Sequence, residues 1–194
     1  MSGPALIVGL GNPGPEHTGT RHNAGFWFVD ALVDQLHGGF ATDRNFHGET
    51  ALVRIADQPV RVLKPMQYMN RSGQAVRALA QFYKIEPQQV LVAHDELDLT
   101  PGTVRLKKGG GHGGHNGLRD VTAHIGPDFY RLRLGIGHPR DAMGGEPVEW
   151  VLKKPSKEDG AAIRDAITAA LDELPRLFDE RGDERVMERL NRRA

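Results

Sequence analysis

Cysteine is missing from this 194-residue sequence, which excludes a disulfide framework, a thiolate metal ligand and a cysteine nucleophile. Serine is nearly missing: Ser2, Ser72 and Ser156 are the three present, and none stands in a G-x-S-x-G turn, so an acyl-serine route has no candidate. No apolar run approaches the roughly 20 residues of a membrane span. The first residues lack the basic-then-apolar layout of a signal peptide. A soluble cytoplasmic protein without membrane contact is the expectation. Net charge is missing as well, since 25 lysines and arginines balance 25 aspartates and glutamates. Any hold on a polyanion must therefore come from a local patch. One stretch is locally unbalanced, because no acidic residue occurs between Thr100 and Arg119.

With 39% hydrophobic residues, the chain can bury a full core, and a single domain over residues 1–194 is expected. Ala5-Leu6-Ile7-Val8 reads as a strand buried on both faces. It stops at Gly9, Gly11, Pro13, Gly14 and Pro15, which impose a loop. Phe26, Phe28, Val29, Leu32, Val33 and Leu36 recur at helical spacing, and His37-Gly38-Gly39 ends that helix with glycine. Residues 50–55 and 60–63 form two strands joined by a turn around Asp57, so part of the sheet is antiparallel. A polar loop from Lys64 to Gly73 leads into a helix through Val76, Leu79 and Ala80. Val90-Leu91-Val92-Ala93 is another short strand, followed by His94-Asp95-Glu96-Leu97-Asp98. A strand over 104–107 runs into glycine-rich residues 109–117, then come a helix from about Leu118 to Ile125 and a strand over 130–136. From Ser156, an N-cap, one long helix carries Ile163, Ile167, Leu171, Leu174, Leu177 and Phe178 on one side. Strands alternating with helices, plus one hairpin, give an α/β domain with a mixed, twisted sheet flanked by helices. Its site should lie beyond the carboxyl ends of the strands, where the polar loops meet.

Gly9-Leu10-Gly11-Asn12-Pro13-Gly14 fits G-x-G-x-x-G. Prolines at 13 and 15, however, deny the helix that a dinucleotide pyrophosphate needs, and Asp30 and Asp34 fall inside a helical pattern. The nine histidines include His112 and His115, but there is no H-E-x-x-H helix or other recognised ligand pattern, and histidines in a glycine loop read as exposed hydrogen-bonders. Water remains as nucleophile, activated by a histidine beside a carboxylate. His22 and Asp95, each placed just past a strand end, are the pair chosen. Asn12, Asn70 and Asn116, one in each polar loop, offer uncharged donors and acceptors for amide and hydroxyl groups. Arg105 and Lys107 are two apart and share a strand face; with Lys108, Arg119, Arg131 and Arg133 they suit phosphates.

The segments IVGLGNPG, TRHNAG, KPMQYMNRSG, HDELD, GGGHGGHNGL and RLRLGIGHP together resemble bacterial peptidyl-tRNA hydrolases over about residues 5–155. The resemblance implies a phosphorylase/hydrolase-like α/β fold and a monomeric, metal-free and cofactor-free cytoplasmic enzyme. It implies hydrolysis of the ester between a peptide and the terminal ribose of tRNA, recycling tRNA from aborted translation. It implies roles too: His22 activates water, Asp95 supports it, and Asn12 contacts the peptide near the scissile ester. Tyr68, Asn70 and Asn116 would line the channel for peptide and terminal adenosine. Arg105, Lys107 and Arg133 would clamp a phosphate of the acceptor arm. His17 stands where the family commonly has a tyrosine in contact with the nucleic acid. The residues by themselves leave two alternatives, a non-catalytic RNA-binding module and a metal-dependent hydrolase.

Overall fold

A computed structural model describes residues 3–142 and 144–193. The chain runs β1 (Leu6–Gly9), α1 (Ala24–Gln35), β2 (Ala41–Asp43), β3 (Gly48–Ile55), β4 (Gln58–Pro65), α2 (Ser72–Phe82) and β5 (Val90–Glu96). It continues through β6 (Val104–Lys108), α3 (Asn116–Ile125), β7 (Tyr130–Gly135), α4 (Pro147–Val151), α5 (Lys157–Glu173) and α6 (Gly182–Arg192). The strands make one mixed sheet in the order β2-β3-β4-β1-β5-β7-β6. β4, β1, β5 and β7 are mutually parallel, while β2–β3, β3–β4 and β6–β7 are antiparallel pairs.

The unbroken apolar run of β1 is explained by its central place: strand alternation sends Ile7 to one face and Leu6 and Val8 to the other, and both faces are covered. On one side Ile7, Leu91 and Leu134 pack with Phe28 and Val29 of α1 and Ile163 and Ile167 of α5. On the other, Leu6, Val8 and Val92 pack with Val76 of α2 and Leu118 and Val121 of α3. The start of α1 lies unusually close to the sheet. A Cβ on Gly25 would stand 2.4 Å from the Ala93 carbonyl, and one on Gly9 would stand 2.3 Å from the Gly25 carbonyl. These two glycines bring the residues just before α1 against the end of β5.

Several details differ from the sequence reading. Asp95 lies inside β5, not past its end, because β7 continues to pair with the strand as far as Glu96. The left-handed residue that closes α1 is His37, φ 57°, and Gly38 donates its N–H to the Val33 carbonyl. The expected 156–178 helix breaks, since Pro175 cannot donate to an α-helical partner, and α5 gives way to a 3₁₀ stretch over Leu174–Phe178. The edge strand β2 and the short α4 have too little periodicity to be read from sequence. The hairpin turn is as expected, with Ala56 and Asp57 both left-handed. The glycine-rich loop is the largest departure. β6 is antiparallel to β7, so the loop leaves from the opposite end of the sheet and must run back across it to start α3 at the site.

Candidate active site

His22 sits in a single 3₁₀ turn, Arg21–Asn23, that joins the first loop to α1. Asn23 fixes this turn to the preceding loop. Its Nδ2 donates to the Asn12 carbonyl at 3.0 Å and its Oδ1 accepts from the Asn12 N–H at 2.8 Å. Asn23 stands at the N-cap position of α1, yet its side chain makes no cap hydrogen bond, being committed to Asn12. Asn12 is itself held from across the cleft, where its Oδ1 accepts from the Met69 N–H at 2.7 Å. The remaining half of that amide, a donor, is left for the cleft.

Asp95 is the centre of the site. It is 3% exposed, and each carboxylate oxygen receives one imidazole: Oδ2 accepts from His22 Nδ1 at 2.8 Å and Oδ1 from His115 Nε2 at 2.7 Å. Both tautomers follow from these contacts. His22, protonated at Nδ1, keeps a free lone pair at Nε2. His115 caps α3, its Nδ1 accepting from the Leu118 N–H at 3.2 Å, which leaves Nε2 to carry the proton toward Asp95. Burial alone would push the Asp95 carboxyl upward, but the two imidazoles outweigh it and hold the group well below the usual carboxylate range. Burial also pushes His22 down, and the charge and hydrogen bond of Asp95 more than reverse this, so its pKa lies above the ordinary value.

A third imidazole lines the same cleft. His94 Nδ1 donates to the Asp95 carbonyl at 2.8 Å, and its Nε2 is buried without a partner. Burial, helped by repulsion from His115 and Arg133, lowers its pKa to about 3. A base whose folded pKa is depressed adds stability above its unfolded pKa near 6.5 and loses it as pH falls toward the folded value. His94 should therefore withdraw on the order of 4–5 kcal/mol of stability between pH 6.5 and 3. Urea midpoints measured across that range should be visibly flatter for His94→Asn than for the parent; parallel curves would remove His94 as the cause.

These groups line a cleft of about 270 Å³, whose walls also include Tyr68, Asn70, Glu96, His112 and Asn116. The opposite wall is apolar and comes from α4 and its C-cap: Pro147, Val148, Val151 and Leu152. The structure thus brings together His22, Asp95, Asn12, Tyr68, Asn70 and Asn116. His17 stands apart from this lining, half-buried beside Glu16. Arg105, Lys107 and Arg133 are not in the cleft lining, and Arg133 reaches it through Glu96. Arg105 and Arg133 are cross-strand neighbours, Arg133 is in turn beside His94, and its Nε donates to Glu96 at 2.9 Å. Arg105 also donates to the Leu190 carbonyl at the end of α6, and Lys107 is exposed with no ion pair among the described residues. Arg131 is different: 1% exposed, stacked on Phe129 and bonded to the carbonyls of Pro127, Phe129 and Gly110, it holds the glycine loop in place.

Sequence reasoning assigned no role at the site to His115, His94, Asn23 or Arg21. For His115 a signal existed: it immediately precedes a helix start, where a side chain that accepts a backbone N–H is expected. Among the described residues, one group could hold a metal ion, His22, Asp95 and His115, with ligand atoms within 4.8 Å of one another. The same atoms are paired with each other at hydrogen-bond distance.

Comparison with known proteins agrees over almost the whole chain. A family model described as peptidyl-tRNA hydrolase matches residues 6–194. A curated peptidyl-tRNA hydrolase of Xanthomonas euvesicatoria is 54% identical over 194 residues, covering 98% of both chains, and one of Bordetella petrii is 53% identical over 176 residues, covering 90% of this chain and 84% of the relative. The crystal structure of peptidyl-tRNA hydrolase from Acinetobacter baumannii superposes with a TM-score of 0.93 at 47% identity, over 100% of this chain and 97% of that one. A purine nucleoside phosphorylase of Toxoplasma gondii, 8% identical with a TM-score of 0.51 over 91% of this chain and 92% of its own, shares the fold alone.

Proposed function

Because this chain belongs to the peptidyl-tRNA hydrolase family, an ester hydrolase acting on peptidyl-tRNA, we propose that it cleaves its substrate with a water molecule activated by His22. The observation that carries this reading is the occupation of both oxygens of one buried carboxylate by imidazoles. His22 Nε2 removes a proton from water as the oxygen attacks the ester carbonyl. The resulting imidazolium is stabilised by Asp95, which stays ionised. The same proton is then delivered to the departing ribose oxygen, giving free tRNA and a peptide carboxylic acid. The free amide donor of Asn12 lies at the cleft and suits the oxygen on which charge develops, or the first peptide carbonyl.

The polar side of the cleft, with Tyr68, Asn70 and Asn116, suits the terminal adenosine and the peptide backbone. Arg105, Lys107 and Arg133 suit a phosphate of the acceptor arm, and His17, near the mouth of the first loop, suits the nucleic acid. Phosphate contacts of this kind position a substrate without reading its sequence. Lys107→Ala should therefore raise KM by about tenfold, change kcat little, and reduce the salt slope of tRNA binding by about one. Equal falls in kcat and kcat/KM would contradict a positioning role.

The reading also takes the protein to act in the cytoplasm as a monomer without metal or other cofactor. Cleavage of a defined peptidyl-tRNA in the presence of a chelator is the direct test. Full activity supports water activation by His22 alone. Activity lost with chelator and restored by a divalent ion would instead make His22, Asp95 and His115 metal ligands, and tRNA binding without cleavage would leave a binding module.

A further inference from the structure

Arg21 adjoins the proposed base, yet it is not part of the cleft lining. It is 5% exposed, and its guanidinium lies over the Trp150 ring, Cζ 3.5 Å from the centroid. Nη1 donates to the Trp150 carbonyl at 3.0 Å and to the Lys153 carbonyl at 3.3 Å, and the Arg21 backbone N–H donates to Lys153 as well, at 3.0 Å. Trp150 is pinned on its other side, Nε1 donating to the Gly137 carbonyl at 3.0 Å. What this group of contacts holds is the apolar wall of the cleft. α4 is five residues long, too short to be stable by itself, and it packs against the Arg21–Asn23 turn. Val148 on it and Leu152 at its C-cap are 67% and 43% exposed while lining the cleft.

We propose that Arg21 is a positioning residue that clasps α4 to the turn carrying His22, and so builds the apolar wall against which the peptide part of the substrate lies. The assignment of that wall to the peptide rests on the hydrolase reading above and on chemistry: Pro147, Val148, Val151 and Leu152 offer nothing to a phosphate chain, but they can bury peptide side chains and aliphatic backbone. Arginine suits the clasp because its planar fork bonds two carbonyls while its face stacks on an indole. Lysine keeps the charge and loses both.

The test uses Arg21→Met and Arg21→Lys in the full chain, with kcat and KM for a peptidyl-tRNA, Kd for uncharged tRNA, and amide hydrogen exchange. Both variants should raise KM about tenfold with kcat within about threefold, since binding common to ground and transition states is lost. Exchange should accelerate over residues 147–153, while the tRNA Kd and the pH–rate profile stay unchanged. Trp150→Leu should give the same effect, and adding it to Arg21→Met should add little, because both act through one contact. Should Arg21→Met fail to fold, Arg21→Lys decides. An unchanged KM, a fall in kcat with a shifted pH profile, or fully additive effects of Arg21 and Trp150 would each overturn the clasp. Hydrolysis persisting in His22→Ala would sink the reading of the chemistry instead, and would leave these KM ratios to be judged separately.

Discussion

Replacing His22 with alanine should leave a folded protein that binds tRNA as the parent does and hydrolyses peptidyl-tRNA about 10³-fold more slowly. The size of the effect follows from the site's composition. No cysteine exists and no serine lies in the cleft lining, so no covalent route takes over. Of the other imidazoles in contact with Asp95, His94 has its Nδ1 committed to a carbonyl and its Nε2 buried out of reach of solvent, and His115 has both nitrogens committed, leaving His22 Nε2 as the accessible base. Removing it takes away an interaction made only as the proton moves, so kcat and kcat/KM should fall together. Folding should be nearly untouched, because the turn carrying His22 is fixed to the first loop by Asn23. Single-turnover cleavage alongside a tRNA-binding isotherm checks both halves. A variant with more than about a tenth of parental kcat would require another base.

Asp95→Asn should have the second-largest effect, a loss on the order of 10²–10³ in kcat with little change in volume. The carboxylate accepts from two imidazoles at once; an amide offers one acceptor and one donor group. Whichever way it turns, one imidazole faces an N–H, and where that is His22, the ring proton is driven to Nε2 and the base is lost. The pH dependence should change in a defined direction. In the parent, Asp95 outweighs burial and raises the His22 pKa, so activity should climb as pH rises through that elevated value. Without the charge, burial dominates, and the residual activity should rise at lower pH than in the parent. A pH–rate profile unmoved in Asp95→Asn would separate the two residues functionally. The same substitution should blunt acid denaturation. Asp95 has a depressed folded pKa, so its contribution is present above the unfolded value near 3.8 and disappears as pH falls below it.

Local pattern carried a large part of this protein. The doubly buried β1, the turn at Ala56–Asp57, α2 and the Ser156 cap follow from periodicity and turn chemistry. Ser156 Oγ indeed accepts from the Asp159 N–H at 3.1 Å. The loops that line the cleft were identifiable by their density of asparagine and histidine. Residue types also left thiol and acyl-serine routes without a candidate and restricted any nucleic-acid contact to a local strip. The motifs were enough to indicate the family.

Pairings distant along the chain were decided only by the tertiary structure. His22 meets Asp95 over 73 residues, and Arg21 meets Trp150 over 129; no local preference encodes either, because each depends on the parallel register of β1, β5 and β7 and on two glycines that let α1 approach the sheet. His115 reads as one more exposed loop histidine until α3 starts where its ring reaches Asp95. Arg131 and Arg133, equivalent in sequence, separate into a buried brace and a cleft-side cation because β6 stops and the glycine loop folds back over the former. Composition and periodicity determine which segments are strands, helices and polar loops, since those rest on interactions between near neighbours. The protonation state and partner of each site residue depend on burial and on charges brought together by packing, and these come into being only when the sheet closes.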